Sequence, residues 1–146
     1  MRRITWILTA NASLARIFEH RRGRNALTLV RELSHPQSRE KAADLVTDRP
    51  GRARGYGDGQ WALADNDPKR DAREDFALEI AREVERAVTA RSFDRLIISA
   101  SPAFLGILKA RLDERVTARI THALDKDYTA ANERELLQIL ADYIAF

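Results

Sequence analysis

ITWILTA (Ile4–Ala10), LARIFEH (Leu14–His20) and ALTLVREL (Ala26–Leu33) are three apolar-rich stretches in quick succession. The first is β-branched and aromatic, with no polar alternation, so it reads as a strand covered on both faces and therefore central. Asn11-Ala12-Ser13 and Arg22-Gly23-Arg24-Asn25 are turn-formers between the runs. Three consecutive strands joined by short turns make an antiparallel meander.

Downstream the period changes. Phe76, Ile80, Val84 and Val88 recur every fourth residue with Ala77, Ala81 and Ala87 beside them, which predicts a helix with one buried stripe. Asp67 suits its N-cap and Pro68 its first position, and the helix is expected to run to about Arg91. Arg70 stands where Glu or Gln would close a capping box. FDRLIISA (Phe93–Ala100) is a fourth strand, and Ser101-Pro102 opens a helix facing inward through Phe104, Leu105, Leu108 and Leu112. Val116, Ala118, Ile120, His122 and Leu124 alternate with polar or small neighbours and predict a fifth strand. After the polar turn Asp125-Lys126-Asp127, a last helix is expected over 130–145, with Leu136, Leu137, Leu140 and Ile144 inward. The order is β-β-β-α-β-α-β-α: one α/β domain over 1–146, a mixed sheet with helices on its faces. Ribonuclease-H-like folds share that order.

Between the third strand and the first helix lies a stretch of another character. Ser34 to Asp48 is polar and allows a short helix near 37–45. An Arg- and Gly-rich loop follows at about 46–66. Its centre, Gly51 to Trp61, holds four of the chain's six glycines. Gly55, Gly57 and Gly59 alternate, which lets backbone approach backbone closely. Arg49, Arg52 and Arg54 would attract phosphate without regard to sequence. Tyr56 and Trp61 can stack on bases. Gln60 can hold a water or a carbonyl through its amide, and its neighbouring N–H can support an oxyanion. The plainer reading is a connector whose glycines are spacers.

Composition bounds the alternatives. The 146 residues are 45% hydrophobic, enough for one domain with its own core, and carry a net charge of +3. That mild basic excess allows a nucleic-acid partner without requiring one. With no cysteine, disulfides, thiolate metal sites and a Cys nucleophile are excluded. Met1-Arg2-Arg3 precedes an apolar run too short to span a bilayer and lacking a cleavage site, so a soluble, cytoplasmic protein with no membrane partner is expected.

Two-metal nuclease chemistry needs carboxylates at strand ends. The first strand offers Thr5, Thr9 and Asn11, and the fourth ends in Ser99, Ala100 and Ser101. Asp94 sits at the wrong end, so a metal-dependent nuclease is not expected. Asp65, Asp67, Asp71, Glu74 and Asp75 could gather a divalent ion, but carboxylates at a helix N-terminus are explained more simply by its dipole. His20, His35 and His122 fit no hydrolase spacing, and His122 belongs at the sheet margin. Ser99 and Ser101 could touch a ligand at strand C-ends, although capping accounts for Ser101. No metal and no cofactor are expected.

Two resemblances meet in these residues. WILTANASLARIFE (Trp6–Glu19), SASPAFLGIL (Ser99–Leu108) and LDKDYT (Leu124–Thr129) resemble the bacterial host attachment proteins, described as required for attachment to host cells. Gly57-Asp58-Gly59-Gln60, with its basic approach and following helix, resembles the Gly-Gly-Gln loop in the middle domain of archaeal and eukaryotic class-one peptide release factors. The second resemblance implies a ribonuclease-H-like fold, a ribosome or tRNA partner, and assistance to peptidyl-tRNA hydrolysis or ribosome rescue. Gln60 and Gly59 match as the catalytic pair. Asp58 replaces the other glycine, bringing a Cβ and a negative charge, and a stop-codon decoder is not expected of a chain this size. The alternative function is a non-catalytic intracellular interaction protein with a protein partner. The sequence sets no oligomeric state.

Overall fold

The computed structural model describes residues 3–35 and 68–144. The helix near 37–45, the Asp67 cap and the Arg/Gly-rich loop fall outside those residues.

Strands β1 (Ile4–Ala10), β2 (Leu14–Arg21), β3 (Thr28–Ser34), β4 (Arg95–Ala100) and β5 (Ile120–Leu124) form one sheet in the order β3-β2-β1-β4-β5. β1 is central and buried throughout, as its uninterrupted apolar run requires. β2 is antiparallel to β1 and β3, while β4 and β5 run parallel to β1. This is a mixed five-stranded α/β sheet of ribonuclease-H-like topology.

Alternation along β1 divides the core in two. Trp6, Leu8 and Ala10, with Ile17 and Ile98, pack under helices α1 (Pro68–Thr89) and α2 (Pro102–Arg111) through Phe76, Ile80, Val84, Phe104 and Leu108. Phe76 and Phe104 lie 6.0 Å apart, centroid to centroid. Ile7 points the other way and joins Phe18, Leu27 and Ile97 beneath α4 (Glu133–Ile139), which contributes Leu136, beside Leu140 and Ile144. The expected stripe of Phe76, Ile80, Val84 and Val88 is buried throughout.

Both edge strands are irregular. Ile17 pairs with Arg31 but Phe18 with Leu29, leaving Val30 as a bulge on β3. Leu96 pairs with Ile120 but Ile97 with His122, leaving Thr121 out on β5. Bulges of this kind discourage edge-to-edge association.

Three expectations need correction. The fifth strand does not begin at Val116. Residues Glu114–Thr117 form a helical turn, α3, because the Asp113 side chain accepts the Val116 N–H at 3.1 Å and Val116 is fully buried in the α1/α2 core. The last helix is shorter than 130–145. A capping box starts it, with Asn132 and Glu135 each accepting the other's backbone N–H (2.8 and 2.9 Å), and regular helix stops at Ile139. Ser101 does precede α2, but its side chain makes no capping bond.

Candidate nucleic-acid interface

Arg49, Arg52, Arg54, Gly55, Tyr56, Gly57, Asp58, Gly59, Gln60 and Trp61 all lie outside the described residues. What the structure places is the pair of elements that bound them. At the end of β3, the His35 N–H donates to Ser13 O (2.9 Å), and the His35 ring meets Phe76 of α1 edge-on at 5.3 Å. Its Nδ1 is 3.8 Å from Glu79. One turn further along α1, Glu83 binds Arg31 of β3 at 3.0 Å. The strand before the stretch is thereby fastened to the helix after it.

The C-terminal ends of β1 and β4 hold a polar clasp that sequence reasoning did not anticipate. Asn11 Oδ1 accepts the N–H groups of Ser13 and Leu14, both at 2.9 Å. Its Nδ2 donates to Asp127 Oδ2 (3.0 Å) and to Thr129 Oγ1 (3.1 Å). Asp127 Oδ1 accepts from the Thr129 N–H and hydroxyl at 2.9 and 2.7 Å. Ser99 Oγ donates to Lys126 O at 2.6 Å, and Arg16 Nη1 donates to Thr129 O at 2.9 Å. Burial works to raise the Asp127 carboxyl, but the bonds from Thr129 and Asn11 outweigh it and hold the group below the ordinary carboxylate range. The signal for this clasp was local: Asn11-x-Ser13 and Asp127-x-Thr129 are both Asx-turn patterns. The three stretches that carry the host-attachment resemblance meet here. The Ser99 hydroxyl proton is used within the clasp.

Other candidates resolve into structural contacts. Glu74 of the acidic cluster pairs with Arg111 at 3.1 Å, and Asp94 accepts the Ile4 N–H at 2.8 Å. Among the described residues no three His, Asp or Glu side chains converge as metal ligands. His122 lies on the edge strand β5, with its ring 4.7 Å from that of Tyr143.

A basic groove of about 630 Å³ opens between α1 and α3, lined by Arg82, Glu85, Arg86, Thr89, Ala90 and Arg115. Arg86 is steered by Glu83 (2.6 Å), and Arg115 by Asp113 (3.3 Å) and the Thr89 hydroxyl (3.0 Å). The Val116 N–H lowers the Asp113 carboxyl, burial works against it, and the contacts from Arg115 add to the lowering, so the group lies below the ordinary carboxylate range. Arg82 and Arg86 also line a neighbouring recess of about 450 Å³ that reaches His35, where the undescribed stretch begins.

No helix among the described residues is long and apolar enough to cross a membrane. No curated protein matches the chain. Solved structures align with it, among them two from Aquifex aeolicus. The Aquifex aeolicus PPX-GPPA enzyme shares 10% identity at a TM-score of 0.43, over 85% of this chain and 36% of that one. The type II variant of the Aquifex aeolicus Ppx/GppA phosphatase shares 12% at 0.41, over 85% and 35%. The chain thus spans about a third of either structure. A family profile described as "Protein required for attachment to host cells" matches residues 6–140, from the central strand to the last helix, and the chain belongs to that family.

Proposed function

We propose that this member of the host-attachment family acts on RNA, with the Arg49–Trp61 stretch as its contact and peptidyl-tRNA as the substrate it helps to hydrolyse. One observation carries the reading: Gly57-Asp58-Gly59-Gln60 follows three arginines and precedes the long helix α1, which resembles the glutamine loop of release-factor middle domains. The ribonuclease-H-like sheet supports it by supplying rigid elements on both sides.

The chemistry asked of the stretch is modest. Water attacks the ester carbonyl that joins the peptide to the terminal ribose, and the carbonyl oxygen takes up negative charge. The ester C–O bond then breaks. The ribose hydroxyl leaves with a proton from the attacking water, and the peptide leaves as a carboxylic acid. The Gln60 amide orients that water, and bare backbone at Gly59 lets an N–H reach the developing oxyanion. Arg49, Arg52 and Arg54 neutralise phosphates around the site. Asp58 opposes them, so the arginines must outweigh one carboxylate.

The test is ribosome co-sedimentation from lysate at low and moderate salt, followed by single-turnover hydrolysis of peptidyl-tRNA. Wild type is expected to sediment with ribosomes in a salt-sensitive way, and R49A/R52A/R54A to lose this. Gln60→Ala is expected to keep binding and lose hydrolysis by roughly a hundredfold, the usual scale for one positioned group. Failure of the wild type to sediment at either salt overturns the reading and directs attention to a protein partner. Hydrolysis undiminished in Gln60→Ala removes the catalytic assignment.

A further inference from the structure

We propose that the α1–α3 groove is a second phosphate-binding surface, taking the backbone of a single-stranded segment of the RNA that meets the Arg49–Arg54 stretch. The inference rests on the RNA reading above.

Arg82 and Arg86 are one helical turn apart on α1, roughly 6 Å along its axis, a spacing that successive phosphates of an extended strand can follow. Thr89 and Ala90 continue the line with small side chains, which leave the floor open. Arg115 closes it from α3. The guanidiniums are aligned but not used up. An arginine has five N–H donors. Arg86 spends Nη2 on Glu83 and remains 69% exposed at its side chain, and Arg115 remains 55% exposed. Arg82 has no ion pair or hydrogen bond among the described residues. Acids beside two of the arginines thus hold them in place at the rim, reducing the ordering cost of a phosphate contact.

The groove also has the right neighbours. Arg82 and Arg86 belong both to it and to the recess at His35, the last described residue before the arginine stretch, where Asp75 and Glu79 stand opposite them. Glu85 is the one carboxylate on the groove wall, against three arginines. An extended row suits a polyanion better than a single small anion, because Arg82 and Arg86 stand a helical turn apart on α1 and Arg115 comes from α3.

The experiment is fluorescence anisotropy of a labelled oligouridylate titrated with the full chain across a salt series. Four proteins are compared: wild type, R49A/R52A/R54A, R82Q/R86Q, and R82Q alone, which breaks no ion pair among the described residues; circular dichroism melts check folding. Arg115 is left in place because it holds α3 to α1. R82Q/R86Q is expected to bind roughly tenfold more weakly, with a log–log salt slope shallower by about 1.4, the share of two single-strand phosphates. R82Q alone should flatten it by about 0.7. Wild-type affinity and slope in both groove variants, with binding lost in R49A/R52A/R54A, overturns the groove and leaves the RNA reading standing. Binding lost in the groove variants but kept in R49A/R52A/R54A supports the groove and overturns the loop as the contact. No binding by wild type overturns both.

Discussion

Asp127 shows how much one side chain can be asked to do. Its two oxygens accept from the Thr129 backbone, the Thr129 hydroxyl and the Asn11 amide, and these bonds hold its folded value below the 3.8 of a free side chain. A carboxylate with a depressed folded value contributes stability that is fully present above 3.8. That contribution is lost as pH falls through the folded value. Asp127→Asn should therefore flatten the loss of stability on acidification, measured as urea midpoints from about pH 7 to about pH 3. It should also lower the midpoint at neutral pH, since an amide there can turn its N–H groups toward Asn11 Nδ2, donor against donor. An unchanged acid limb in the variant would mean that other carboxylates carry it. At this scale little was legible beforehand. Asn11 and Asp127 each advertise a local turn, but nothing in composition says that residues 116 apart in the chain should bond to each other.

Elements were more legible, because apolar period is a property of neighbours. The runs Ile4–Ala10 and Leu96–Ile98 and the four-residue stripe of α1 all appear where expected. Val116 misled because its alternation with Ala118 and Ile120 continues numerically into β5. Asp113, three residues before it, was the competing helix-start signal, and burial of Val116 beneath α1 decided the outcome. The end of α1 carries its own lesson. Ser92 N–H reaches Ala87 O at 2.9 Å and Arg91 N–H reaches Val88 O at 3.0 Å, a Schellman ending with Arg91 at φ 58°. That left-handed position suits glycine and strains a residue with a Cβ. Arg91→Gly should raise stability by roughly 1 kcal/mol in chemical denaturation. A loss of stability would show instead that the arginine side chain outweighs the backbone strain.

Across the whole molecule the sheet is covered unequally. One face lies under the 22-residue α1 and the 10-residue α2, the other under the seven-residue α4 and its turn. Less buried area means a lower opening free energy. Amides of Leu136 and Leu140 should exchange with solvent well before those of Ile80 and Val84 in native-state hydrogen exchange. Equal rates would indicate a single cooperative unit. The order of elements and the central place of β1 were readable from the meander and two βα units, but the strength of each face was not, because it depends on where α4 stops. The placement of β1 has a consequence for how the chain is made. Of the five strands it is made first, yet Asp94, which binds the Ile4 N–H and leads into the parallel partner β4, comes 90 residues later. At ordinary synthesis speeds that interval is roughly 5 to 20 s. Until β4 is made, β1 can pair with β2 alone, so its second edge is open in the growing chain and closed only in the finished fold.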